Sequence, residues 1–139
     1  MRAPPEVRLE RFRRLMVQLA YESEKGGIII VEGQRDRESL RRMGIKGPIL
    51  CTQSSRKSTI GFVEELSQVR DAIVLTDFDR QGVFLAKRLT RVLNAQGVRT
   101  NVILWRDLRR LTRSDVRSVE ELPKFEELLE AELHLRGRG

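Results

Sequence analysis

Cysteine is almost missing: Cys51 is the only one in 139 residues. An internal disulfide and a zinc site built on clustered cysteines are both excluded. A single thiol, in a stretch that reads as a strand, is a small buried hydrophobe suited to a reducing compartment. Histidine is as scarce. His134, near the C-terminus, stands alone, which argues against histidine-based triads and multi-histidine metal centres. Aromatic residues make up 5% of the chain, with one tyrosine, Tyr21, and one tryptophan, Trp105. The latter is expected to fill a core rather than stack on a base. No apolar run approaches the ~20 residues that a membrane span requires. Met1-Arg-Ala-Pro-Pro5 lacks the apolar core of a signal peptide, so a cytoplasmic location is the default expectation. Internal repeats, low-complexity linkers and composition breaks are missing too, which favours one domain over residues 1–139.

What is abundant is positive charge. Lys and Arg number 27 against 20 Asp and Glu, a net +7. With 40% apolar and 34% charged residues, the chain fits a folded protein whose partner is a polyanion such as nucleic acid. A basic surface without a partner is the competing explanation.

Apolar periodicity orders the elements. Val7, Phe12, Leu15, Met16, Leu19 and Ala20 recur at helical spacing over 6–24, with Arg8, Arg11, Arg13 and Arg14 between them, predicting an amphipathic helix packed on a sheet. Gly27-Ile-Ile-Ile-Val31 reads as a buried central strand. Asp36 is expected to cap a helix over 37–43. A short strand follows at 48–52, then a polar loop and a helix over about 58–67. A third strand spans 72–76. Next come a helix over 81–96, with Val83, Phe84, Leu85, Leu89, Val92 and Leu93 as its apolar face and Gly97 as its C-terminal cap, and a strand over 99–104. A short basic helix or turn from Arg106 and a last helix over about 120–135, starting near Pro123, complete the chain. Alternating strands and helices predict an α/β fold, a four-stranded parallel sheet covered on both faces.

The chemistry centres on Ala72-Ile-Val-Leu-Thr-Asp-Phe-Asp-Arg-Gln-Gly82. A buried strand ending in Asp77 and Asp79 sets both carboxylates at its carboxyl tip, the edge where parallel α/β sheets bind ligands. Glu32 occupies the matching place after the first strand, with Gly33 behind it. If Glu32 and Asp77 share a site, strands one and three are neighbours and the sheet order is 2-1-3-4. Two carboxylates ~4 Å apart repel by about 4 kcal/mol at an effective dielectric near 20. A hard divalent cation would remove that cost.

These residues resemble a known family. Ile-Val-Glu-Gly-Gln-Arg-Asp (30–36) looks like the first motif of Toprim domains, and Leu-Thr-Asp-Phe-Asp-Arg-Gln-Gly (75–82) like their second, Asp-x-Asp-x-x-Gly. The resemblance covers about 27–105, with helices over 6–24 and 106–135 packed on that core. The whole chain looks like the small stand-alone, primase-like Toprim proteins of archaea and some bacteria. It implies a three-layer α/β/α fold and Mg²⁺-dependent phosphodiester chemistry on nucleic acid, as a nuclease or nucleotidyl transferase. It implies Glu32 as general acid or base. It implies Asp77 and Asp79 as ligands of Mg²⁺ (or Mn²⁺), with Glu32 able to join them. Gly82 would allow close strand–helix packing and Gly33 would leave room for phosphate. Arg35, Arg80 and Lys87 are the candidates to touch the nucleic-acid backbone. The chain departs from the larger members. Tyr21 lies in the first helix without the separate domain that a topoisomerase tyrosine needs, and the zinc-binding domain of primases has no counterpart here.

Two other readings compete. A basic RNA- or DNA-binding adaptor could keep the acids as structure. A haloacid-dehalogenase-type phosphatase also starts with a strand and Asp-x-Asp; that pattern wants Thr or Val where this chain has Gln81, and it leaves Glu32 and Gly33 unused.

Overall fold

The computed structural model describes residues 2–54, 66–112 and 115–137. Four strands, β1 Ile28–Val31, β2 Ile49–Cys51, β3 Asp71–Val74 and β4 Arg99–Asn101, form one sheet in the order β2-β1-β3-β4. Every pairing is parallel, so the expected order 2-1-3-4 is the observed one. The two central strands are the most apolar, and Ile29, Ile30, Val31, Ala72, Ile73 and Val74 are all buried. A parallel strand covered on both faces requires such a run. Each large aliphatic side chain taken fully out of water contributes about 1.5–3 kcal/mol.

Five helices are described: α1 Pro5–Glu24, α2 Gln34–Arg42, α3 Arg80–Ala95, α4 Ile103–Thr112 and α5 Leu122–Arg136. The β1–α2–β2 crossover steps toward one sheet edge and β3–α3–β4 toward the other. Right-handed connections therefore lay α2 and α3 on opposite faces, which gives a three-layer α/β/α fold. No described helix is long and apolar enough to cross a membrane.

Several boundaries differ from the expected ones, each for a physical reason. α2 begins at Gln34 because Gly33 is its N-cap, and Asp36 sits at the third helical position and reaches back to the Gly33 N–H at 3.0 Å. Asp36 thus completes a capping box instead of acting as the cap residue itself. β4 stops at Asn101, whose Oδ1 accepts from Ile103 N at 2.9 Å. That bond starts α4, so Leu104 and Trp105 are helical rather than extended. α5 carries Pro123 in its first turn, after a single tight turn at Val119–Glu121. The helix expected over 58–67 falls mainly on residues 55–65, outside the described residues; Leu66–Gln68 form one tight turn.

α1 packs chiefly on α4 and α5 rather than on the sheet as expected. Phe12 meets Phe125 edge-to-face at 5.5 Å. Arg8, expected on the polar face, is 8% exposed. Its guanidinium donates to Asp115 Oδ2 at 3.1 Å and lies 5.3 Å from the Phe125 ring centre, a paired and stacked arrangement that makes its burial tolerable. In α3 the buried stripe is Gly82, Ala86, Leu89 and Leu93. Phe84 falls opposite that stripe at 100° per residue and is 63% exposed, so it is not part of the apolar face.

Candidate active site

The register pairs Ile28 with Ala72 and Ile30 with Val74, so β1 and β3 run level and end at the same edge. Leu75 N still donates to Ile30 O at 2.8 Å. One residue beyond each strand's last pair the chains diverge, and the side chain of Glu32 bridges the gap. Its Oε2 accepts from the backbone N–H of Asp77 at 2.7 Å. Residues 45 positions apart in sequence are thereby brought into contact at the switch point of the sheet, where α/β folds place ligands.

The second acidic loop is held from three directions. Phe78 is buried; its N–H donates to Arg117 O at 2.7 Å and its carbonyl accepts from Arg109 Nε at 2.9 Å. The fully buried Thr76 donates through Oγ1 to Gly82 O at 2.8 Å, and its carbonyl accepts from the Trp105 indole at 2.9 Å. Asp79 caps α3, its Oδ1 accepting from Gly82 N at 2.8 Å. Gly82 lies against the loop itself: a Cβ there would stand 1.8 Å from the carbonyl oxygen of Asp77. The last glycine of Asp-x-Asp-x-x-Gly is therefore required by close approach of backbone to backbone.

Trp105→Phe removes the indole donor and leaves the carbonyl of the buried Thr76 unpaired. The expected loss is about 1–3 kcal/mol of unfolding free energy, measured by urea denaturation followed by circular dichroism. A loss below ~0.5 kcal/mol would mean that water reaches the carbonyl.

The electrostatics of this edge are acidic and uncompensated. The Glu32 carboxyl is held above its ordinary pKa by burial; the Asp77 N–H opposes that shift and the Asp79 and Asp36 charges add to it. Asp77 is pushed up to about 7, first by burial and then by the charges of Glu32, Asp36, Asp79 and Glu120. Asp36 is raised by burial against two opposing backbone donors, Gly33 N and Glu120 N. Among the described residues no Lys or Arg forms an ion pair with Glu32 or Asp77. Also among them, no three His, Cys, Asp or Glu side chains stand close enough, as placed, to hold one ion together.

The three acids predicted from sequence thus collect at one edge with different tasks. Glu32 and Asp77 touch, whereas Asp79 is turned to the start of α3. Gly33 lies at the start of α2, with room for a Cβ limited only by the Gln53 side chain at 3.1 Å. Arg35 is exposed, 3.7 Å from Glu120. Arg80 and Lys87 lie on the solvent side of α3. Glu120 was not predicted; its N–H donates to Asp36 Oδ1 at 2.9 Å and its carbonyl accepts from Ser39 Oγ at 3.0 Å. Nothing in its local sequence marks it, because its partners lie more than 80 residues earlier.

Fold and site together define a three-layer α/β protein with an acidic switch point on a 2-1-3-4 parallel sheet. The chain belongs to the UPF0292 family. It is 36% identical over 116 residues to a UPF0292 protein of Methanosarcina acetivorans, covering 83% of this chain and 79% of the relative. It is 34% identical over 113 residues to one of Thermococcus gammatolerans, covering 81% and 84%. It is 38% identical over 109 residues to one of Thermoplasma volcanium, covering 77% and 89%. No family model matches the chain. A solved structure of a protein from Aquifex aeolicus has the same fold, with a TM-score of 0.64 at 22% identity over 78% of this chain and 95% of that one.

Proposed function

We propose that this chain is a stand-alone Toprim-type enzyme that cleaves or joins phosphodiester bonds in nucleic acid with the help of Mg²⁺. The observation that carries the proposal is the contact between Glu32 and Asp77 across two neighbouring strand tips, in a half-buried place without a counter-cation among the described residues. Burying like charges side by side costs stability and serves no packing need. Such a pair is suited to handle a proton and a cation.

Glu32, with its carboxyl shifted toward neutrality and fixed by the Asp77 N–H, is the proton donor or acceptor for the attacking or leaving oxygen. Glu32 and Asp77 offer the hard carboxylate oxygens that Mg²⁺ prefers, and Asp79 would add its Oδ2, which has no hydrogen-bond partner among the described residues. Bound there, Mg²⁺ supplies charge neutralisation at the phosphate. Arg35, Arg80 and Lys87 are exposed around this edge and would meet backbone phosphates. The positive balance of the chain supports a polyanionic substrate.

Incubation of the purified protein with end-labelled RNA and DNA in millimolar Mg²⁺ or Mn²⁺ is expected to give metal-dependent cleavage or joining. Glu32→Gln should lower the rate by roughly 10²-fold or more, the size of a general acid–base contribution. Turnover unchanged in Glu32→Gln would overturn the assignment. The arginine-lined surface described next also favours a second reading, an adaptor that binds nucleic acid without cutting it. Tight binding that neither metal nor Glu32→Gln alters would establish that reading instead.

A further inference from the structure

Arginine outnumbers lysine in this chain by 22 to 5, and the arginines are not spread evenly. A cleft of about 680 Å³ opens directly beside the second acidic loop, lined by Arg106, Arg109, Arg110 and Arg117 together with Phe78 and Asp79. A second cleft, of about 500 Å³, lies between α1 and α4 and is lined by Arg2, Arg8, Arg11, Arg14 and Arg110. Arg110 lines both. Eight arginines thus border one continuous concave surface; the carboxylates that line it are Asp79 in the first cleft and Asp107 in the second.

Some of these arginines have structural duties. Arg2 and Arg8 pair with Asp115, and Arg14 pairs with Glu10. Arg109 is positioned by its bond to the Phe78 carbonyl and by the Trp105 ring, 5.9 Å from its guanidinium. It therefore points out of the acidic loop as a fixed donor. Arg11, Arg106, Arg110 and Arg117 form no ion pair among the described residues. Guanidinium groups gathered in a concavity repel one another and focus a positive potential outward. Their planar fork matches phosphate oxygens. On α4, Arg106 and Arg110 are one helical turn apart and share a face.

We propose that the two clefts form a single track for the phosphodiester backbone of a nucleic acid strand, running from Asp79 over α4 to the first half of α1. The proposal rests on the nucleic-acid reading of the acidic site and adds to it the path of the strand. The substrate is then a polymer that extends several phosphates to one side of the reacting bond, and a dinucleotide is too short to use the track. RNA and DNA offer the same phosphate chemistry to it.

The test is fluorescence anisotropy with 5′-labelled 20-nucleotide single strands of RNA and of DNA, in EDTA, over a range of salt concentrations. It compares the 139-residue chain with R106A/R110A, with E32Q, and with R88A/R91A, which removes equal charge from the exposed side of α3. Arg106 and Arg110 are exposed helical positions, so alanine keeps the fold. R106A/R110A should weaken binding by roughly tenfold or more at fixed salt and reduce the log–log salt slope by about 1, as expected when phosphate contacts are lost. R88A/R91A and E32Q should stay within about twofold of the parent. Equal losses in R106A/R110A and R88A/R91A would show a diffuse charge effect and overturn the track. So would binding that R106A/R110A leaves unchanged, and in that case metal-dependent turnover could still uphold the acidic site. If no variant, parent included, binds either polymer, both the track and the nucleic-acid reading fall.

Discussion

Gly82→Ala is expected to cost at least about 3 kcal/mol of unfolding free energy, the upper part of the range for overpacking. The added methyl would lie 1.8 Å from the Asp77 carbonyl oxygen and 2.4 Å from its carbon. Both are backbone atoms, so neither can swing aside as a side-chain end would. The strand-to-helix turn must open instead. Opening it breaks the Thr76–Gly82 and Gly82–Asp79 bonds that hold the loop. For a chain of this size the loss corresponds to a fall in Tm of roughly 10 °C or more. Gly33→Ala is the matched control. Its nearest obstacle is the tip of the Gln53 side chain at 3.1 Å, which can rotate away, so its Tm should move by only a few degrees. Equal behaviour of the two variants in a thermal melt would refute the close-approach explanation of the motif.

Asp77→Asn is expected to act in the other direction and to stabilise the metal-free protein at alkaline pH. The Asp77 carboxyl titrates near 7 in the folded chain against 3.8 ordinarily, so the folded state holds its proton more tightly than the unfolded state does. Between pH ~4 and ~7 the unfolded chain therefore binds fewer protons, and stability falls as pH rises through that window. Below it the penalty is absent; above it the penalty is complete. The shift is worth roughly 4 kcal/mol taken at face value. Asp77 is half-exposed, and solvent screening reduces the figure to about 1–2 kcal/mol. Asparagine keeps the shape and loses the charge. Its Tm should exceed that of the parent by about 5 °C at pH 8, and the two should converge near pH 4. Millimolar Mg²⁺ should raise the parent and close the gap by linkage. A Tm for Asp77→Asn below the parent at pH 8 would mean that the carboxylate is a structural partner rather than a repelled charge.

The parts of this fold legible in the sequence are those written in local apolar pattern. Ile28-Ile-Ile-Val31 and Ala72-Ile-Val74 admit little but buried parallel strands, and their carboxyl tips carry the acids. The strand order followed once Glu32 and Asp77 were required to meet. The illegible parts depend on distant partners or on one competing polar atom. Val102-Ile-Leu-Trp105 is apolar enough to extend a strand, but the Asn101 side chain captures Ile103 N and turns the run into a helix. Phe84 is apolar yet faces solvent, because helical phase rather than composition decides its side. Arg8 resembles its exposed neighbours in the sequence and is buried only because Asp115 and Phe125 arrive from the far end of the chain. At the site, Glu32, Asp77 and Asp79 could be found as motif residues. Glu120, Arg109 and Arg117 could not, since nothing in their own surroundings reveals which loop they reach.

The hydrogen bonds from Glu120 N to Asp36 and from Phe78 N to Arg117 tie both acidic loops to one short late segment. During synthesis, the sheet can form while that segment is still inside the ribosome, but neither loop is latched until it emerges. A nascent or clipped chain lacking it would keep the scaffold with its carboxylates unaligned. Phosphodiester chemistry is thereby withheld from a half-made enzyme beside its own messenger.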